Sequence, residues 1–218
     1  MRNLLANCMS DKKFIEYCDE FAHRYDELAR DCEAFGGDAL FGMMYEYIHP
    51  GDRLIDLGIG TGLASEPFYR AGLRIAGIDI SEPMLDGCRA KGIAGDLRVQ
   101  DLRETLPFGD REFNCAVAVG VFHFIQDLGP LLKETSRVLV PGGIFGFTTF
   151  CPADESKDMS EQLIHGFPVY QHSNRLVQSL MRKHGFQMLK TTRFAYYGDP
   201  SKNLQVTNRI HVVRKLDS

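Results

Sequence analysis

Asp56-Leu57-Gly58-Ile59-Gly60-Thr61-Gly62 sets an acid two residues ahead of three glycines at alternate positions. Glycines this close weaken a helix or a strand, because each adds backbone freedom that folding must remove. Their value is bare backbone. A strand ending in such a loop and opening into a helix puts free amides and the positive helix end beside a ligand. Spacing narrows the ligand. A dinucleotide fingerprint needs G-x-G-x-x-G, whereas Gly62 is followed by Leu63, and the Gly-Lys-Ser/Thr of a Walker A loop is absent. What remains is an acid-x-Gly-x-Gly-x-Gly signature with a second acid, Asp79, ending the next apolar run.

The elements that must position these residues alternate strictly. From Arg53, the runs RLIDL, LRIAGIDI, LRVQDL, FNCAVAVGV and IFGFTTF are separated by helix-length segments, the last ending at Pro141-Gly142-Gly143. Such alternation predicts parallel strands with right-handed crossovers, a doubly wound α/β sheet. Before it, Phe14, Cys18, Phe21, Tyr25, Leu28 and Cys32 recur at spacings of four and three, an amphipathic helix with Ser10 as N-cap. A second helix is expected around 38–48. CPADESKDMSEQLIHGFPVYQHS reads as a long irregular stretch, a kind of segment that is often functional. FQMLKTTRFAYY and LQVTNRIHVV, joined by GDPSKN, predict an antiparallel hairpin.

The 218 residues, 44% hydrophobic, suit one domain over 1–218: N-terminal helices over 1–49, a core over 50–150, and a loop, helix and hairpin over 151–218. Net charge is −4, against the basic footprint of a nucleic-acid binder. No apolar run is long enough for a membrane span, so no membrane partner is expected and the cytoplasm is the default. Six scattered cysteines read as reduced thiols, and with seven equally scattered histidines they predict no protein-held metal.

Taken in order, these motifs resemble the class I S-adenosylmethionine-dependent methyltransferases over nearly the whole chain. LIDLGIGTG looks like the family's first motif, GIDIS the acid-bearing end of its second strand, and VQDLRETLPFGDREFNCAVAVGVFHFIQD its adenine-binding turn, fourth strand and following loop. RVLVPGGIF matches the approach to its fifth strand. FAHRYDELA is similar to the Tyr-Asp helix of small-molecule methyltransferases, including the ubiquinone/menaquinone C-methyltransferase type. The resemblance implies a Rossmann-like, seven-stranded, mostly parallel sheet with a C-terminal antiparallel hairpin and an N-terminal helical lid. It also implies S-adenosylmethionine as cofactor, S-adenosylhomocysteine as product and a small-molecule methyl acceptor.

The same resemblance assigns the site. Gly58, Ile59, Gly60 and Gly62 would admit the methionine part and nearby sugar, Asp56 would face the α-amino group, and Asp79 would accept both ribose hydroxyls. Ile80 and Met84 would sandwich the adenine; Asp101 would accept from its amino group beside the Leu102 amide. Val119, Gly120 and Val121 would line the methyl-transfer face, with Tyr25 closing over the cofactor and His123 taking a proton where the nucleophile arrives protonated. Each has a plainer rival: Asp79 as a helix cap, Asp96 in place of Asp101, Tyr25 as packing, His123 as a structural loop residue. His172, in the long FPVYQHS stretch, would line the substrate entrance, with plain surface placement as the favoured rival. A nicotinamide-dependent oxidoreductase and a non-catalytic cofactor-binding sensor remain alternatives, and the sequence identifies neither the acceptor nor the oligomeric state.

Overall fold

A computed structural model describes residues 2–199 and 204–217, with side chains described over 12–196 and 206–217. The core alternates as expected: β1 (Arg53–Leu57), α4 (Glu66–Arg70), β2 (Arg74–Asp79), α5 (Glu82–Lys91), β3 (Ala94–Val99), β4 (Phe113–Ala118), α6 (Gly129–Val138) and β5 (Leu139–Phe150). Three helices precede it, α1 (Arg2–Phe21), α2 (Tyr25–Asp31) and α3 (Gly36–Met44). The hairpin β6 (Met159–Ile164) and β7 (Phe167–His172), helix α7 (Asn174–Lys183) and the long strands β8 (Phe186–Asp199) and β9 (Leu204–Lys215) follow.

Seven strands form one sheet in the order β3-β2-β1-β4-β5-β9-β8. The first five are parallel, and β9 pairs antiparallel with both β5 and β8. The order reverses between β1 and β4, whose carboxyl ends therefore open into crossovers that diverge. That divergence leaves the crevice where open α/β sheets bind ligands. Period-two alternation supplies both layers of core. Ile55 and Leu57 of β1 join Leu131, Val138, Val177 and Met181 under α6 and α7. Leu54 turns to the opposite face, among Leu40 and Met44 of α3, Phe68 of α4 and Leu85 of α5.

Several local expectations are corrected. Helix α1 starts at Arg2, so Ser10 lies inside it rather than at its N-terminus; Leu4, Leu5 and Ala6, good helix formers, precede it in the helix. The stripe through Cys32 is not one helix, because a 3-10 turn at Ala22–Arg24 separates α1 from α2. The helix expected over 38–48 begins at Gly36 and tightens to 3-10 at Tyr45–Tyr47. Pro141-Gly142-Gly143 is no stop: β5 runs through it, and its pairing with β4 slips between Phe113 and Cys115. Gly142, at φ 74°, absorbs the kink. The stretch 151–173 is not irregular but carries the β6–β7 hairpin. It turns at His165 and Gly166, φ 52° and 83°, the paired left-handed conformation that matches strand twist. Part of the GDPSKN turn, residues 200–203, lies outside the described residues. No helix among the described residues is long and apolar enough to cross a membrane.

Candidate functional site

The three loop glycines do different jobs. Gly58 and Gly62 both sit at φ 81°, and each has a neighbour where a Cβ would go. A Cβ on Gly58 would lie 2.8 Å from Val121 Cγ2; one on Gly62 would lie 2.6 Å from Ile93 Cδ1 and 2.8 Å from Cys88 Sγ. Their bareness is used up by packing inside the protein. Gly60, at φ 55°, meets only Met84 Sδ at 4.0 Å, and Gly120, at φ 71° after β4, meets nothing within 4 Å. These two turn bare backbone to open space at the carboxyl ends of the adjacent strands β1 and β4. Gly77 explains Ile59: a Cβ at Gly77 would overlap the Ile59 side chain, which is buried against it.

Asp79 ties the loop to β2. Its Oδ2 accepts the Gly60 N–H at 2.8 Å and its Oδ1 the Ser81 N–H at 3.0 Å. Ser81, not Asp79, caps α5, its Oγ accepting from Met84 N at 3.3 Å. Burial raises the Asp79 pKa, with the backbone amides of Ser81, Gly60 and Ile80 working the other way. Asp56, only 1% exposed, accepts from Ser65 Oγ at 2.6 Å. Burial first, then the charge of Asp79, pushes its carboxyl up to about 7 against the Ser65 hydrogen bond. The helix expected to aim its positive end at the ligand is five residues long and begins at Glu66, and the loop amides are not free either: Gly58 and Ile59 donate to the Ile78 carbonyl, Gly60 to Asp79 and Gly62 to the Ile59 carbonyl.

The flanking assignments separate cleanly in space. Ile80 is half-buried, and Met84 and Leu102 are buried beside the crevice face of α5 and the turn after β3. Asp101 lies just past β3 and accepts the Arg103 N–H at 2.8 Å; burial opposes its ionisation, but the hydrogen bonds and charge of Arg103 outweigh it and hold the carboxyl low. Its rival Asp96 sits within β3, paired to Arg98 at 2.7 Å, away from the strand ends. Val119 and Val121 flank Gly120, whose N–H donates to Thr148 Oγ1 at 2.9 Å.

The N-terminal helices are fastened over this loop by contacts that the apolar periodicity could not reveal. Ser81 Oγ donates to Asp19 Oδ1 at 2.6 Å, Thr61 Oγ1 donates to Asp26 Oδ1 at 2.5 Å, and Lys91 Nζ pairs with Asp26 Oδ2 at 2.5 Å. Burial disfavours the Asp26 charge, but Lys91 and Thr61 outweigh it and lower the pKa. Tyr25, 39% exposed, stands within electrostatic range of Tyr196, Asp79 and Asp56. The one visible sequence signal for this latch was the adjacency of Tyr25 and Asp26. Phe194 and Tyr196 stack on each other at 6.3 Å, consistent with hairpin packing.

His123, in a 3-10 turn at Phe122–Phe124, stacks on Phe150 with centroids 4.0 Å apart and planes 10° apart. Desolvation, then nearby His172, pushes its pKa down to about 3, so the ring is neutral at neutral pH. His172 is not at the surface, as expected from sequence, but 2% exposed: β7 carries it inward, where Nε2 lies 3.3 Å from the Gln126 carbonyl oxygen.

The family model described as a methyltransferase domain matches residues 55–147. Malonyl-[acyl-carrier protein] O-methyltransferase of Serratia marcescens is 34% identical over 113 residues, which are 52% of this chain and 43% of that one. The chain thus spans less than half the length of this curated relative. Among solved structures, the Haloferax volcanii chain in complex with the Trm112 methyltransferase activator superimposes with TM-score 0.74 at 19% identity, covering 92% of this chain and 96% of that one. Burkholderia thailandensis 1,6-didemethyltoxoflavin-N1-methyltransferase, solved with 1,6-didemethyltoxoflavin and S-adenosylhomocysteine, gives TM-score 0.72 at 19% identity, covering 97% and 89%. At such identities the two structures speak for the fold.

Proposed function

We propose that the chain is a class I S-adenosylmethionine-dependent methyltransferase, as the domain match over residues 55–147 supports, and that it transfers a methyl group to a small-molecule acceptor. The observation that carries this reading is the coordination of Asp79. A carboxylate offers about four lone-pair sites. The Gly60 and Ser81 amides take one site on each oxygen, and with the Ile80 amide also acting on the carboxylate they fix its orientation, leaving acceptor capacity for the hydroxyls of a ribose. Bare Gly60 beside it gives a ligand room to approach. The donor set therefore fits the cofactor on the chain's own geometry.

When bound, S-adenosylmethionine would supply a sulfonium methyl carbon open to in-line attack by an acceptor lone pair, the C–S electrons returning to the displaced sulfur of S-adenosylhomocysteine. The protein's work is alignment and exclusion of water. Asp79 would hold the ribose, Asp56 the α-amino group, Ile80 and Met84 the adenine faces, and Asp101 with the Leu102 amide the adenine edge. Gly120, steadied by Thr148, would leave space at the methyl. His123 would accept a hydrogen bond from the nucleophile; a conjugate acid of pKa about 3 holds a proton too weakly for strong general-base work, so its role is orientation. Cys18, Cys88, Cys115 and Cys151 stand outside any disulfide, which suits a reducing compartment such as the cytoplasm. Incubation with methyl-labelled S-adenosylmethionine and a small-metabolite extract should place label in a low-molecular-mass product. Tight cofactor binding with no label transferred would make the chain a sensor instead.

The latch predicts a lid response. The 3-10 turn and α2 bury none of their residues, so local opening there costs little and leaves room for protection. Adding S-adenosylhomocysteine should slow hydrogen exchange across Phe14 to Leu28. Unchanged exchange there would make these helices a static cover.

A further inference from the structure

Beside the glycine loop, rings from separate chain segments meet at the carboxyl end of β4 and β5. Phe14 of α1 packs 4.7 Å from Phe124, in the turn after Gly120, and edge-on at 5.5 Å from Phe167 of β7. Tyr17, one helical turn on, lies 5.1 Å from Phe167. Behind them is the near-parallel stack of His123 on Phe150, the last residue of β5. Lid, loop, sheet and hairpin thus each contribute an aromatic face. None of this wall was legible as a unit, because its members lie far apart in sequence and in elements of different period.

Within electrostatic range of His123 lies His172, buried, with its hydrogen bonding incomplete. A carbonyl oxygen only accepts, so the 3.3 Å contact with Gln126 puts the ring proton on Nε2. Burial lowers the pKa, with the Gln126 carbonyl opposing, and the neutral form then carries its lone pair on Nδ1. Among the described residues, nothing donates to that atom. A buried acceptor left unmet is unfavourable and rare in folded proteins.

Building on the methyltransferase reading above, we infer that the acceptor is a neutral, planar aromatic or heteroaromatic compound bearing a hydroxyl or N–H, seated among these rings and donating to His172 Nδ1. Stacked and edge-on faces favour a flat ring over a saturated one of equal size. Both imidazoles are neutral, so they offer an anionic acceptor no countercharge. A donor on the ligand completes His172 and makes it a specificity-determining residue.

The test uses the full chain saturated with S-adenosylhomocysteine and titrated calorimetrically with phenol, 1-naphthol and 1-anthrol. Each is compared with its fully saturated alcohol and its methyl ether. For at least one ring size the aromatic alcohol should bind tenfold or more tighter than both comparators. His172→Phe, which keeps a ring but no acceptor, should erase the preference for alcohol over ether while leaving S-adenosylhomocysteine affinity unchanged. Equal binding of alcohol, saturated alcohol and ether at every ring size would overturn the inference, as would a preference that survives His172→Phe. The wild-type comparison decides the matter even where the variant does not fold. Failure of S-adenosylhomocysteine itself to bind would instead sink the methyltransferase reading.

Discussion

Asp79→Ala is expected to weaken S-adenosylhomocysteine binding by roughly ten- to several-hundred-fold. Two hydrogen bonds from ribose hydroxyls to a carboxylate are lost, each typically worth about 1.5–3 kcal/mol, with water replacing part; about 1.4 kcal/mol is one decade in affinity. The structure adds a second loss. Without the carboxylate, the Gly60 and Ser81 amides lose their acceptor, and the loop that should meet the ligand is no longer held to β2. Asp79→Asn separates the two effects, since its single carbonyl oxygen can still accept from one amide. It should bind more tightly than Asp79→Ala and more weakly than the parent. Calorimetry gives the affinities and circular dichroism the folded state. A folded Asp79→Ala protein with parental affinity would show that this acid organises the loop and touches no ligand.

The second large effect concerns Asp56 and pH. Its folded pKa of about 7 stands above the usual 3.8, so folding disfavours its ionised form. The neutral acid's contribution to stability is fully present below about pH 4 and is lost as pH rises through about 7. Three units at about 1.36 kcal/mol each put an upper bound near ~4 kcal/mol on that loss. Asp96, Asp101 and Glu134 have lowered pKa values and act in the opposite direction at acid pH, so the parent's curve alone mixes both signs. The difference between parent and Asp56→Asn isolates the site. Urea unfolding of the ligand-free proteins at several pH values from about 5 to about 8 should show the variant gaining on the parent as pH rises. A pH-independent difference would mean that Asp56 is ionised throughout.

The sheet was legible because its signals are local and redundant. Apolar runs of strand length, separated by helix-length segments, leave few arrangements once crossovers must be right-handed. The acids were legible for a related reason: Asp56 lies within one such run and Asp79 ends the next, so chain order alone brings them near the crevice. What escaped was set by tertiary contact. Three alternate glycines look equivalent in a string, yet Val121, Ile93 and Cys88 occupy the space beside two of them and leave Gly60 as the one with open space beside it. His172 looked like a loop residue because MSEQLI shows no clean alternation; pairing of β6 with β7 turned it inward. The Asp26–Lys91 contact joins residues with no periodic relation, and only the packing of the N-terminal helices on α5 creates it.

Titration of the unmodified protein with S-adenosylhomocysteine and, separately, with NAD tests most directly that the loop from Gly58 to Gly62 serves a sulfonium cofactor and its product. Saturable binding of S-adenosylhomocysteine, with none of NAD, is the expected result. Saturable binding of NAD without any response to S-adenosylhomocysteine would contradict it and return the crevice to the nicotinamide-dependent enzymes.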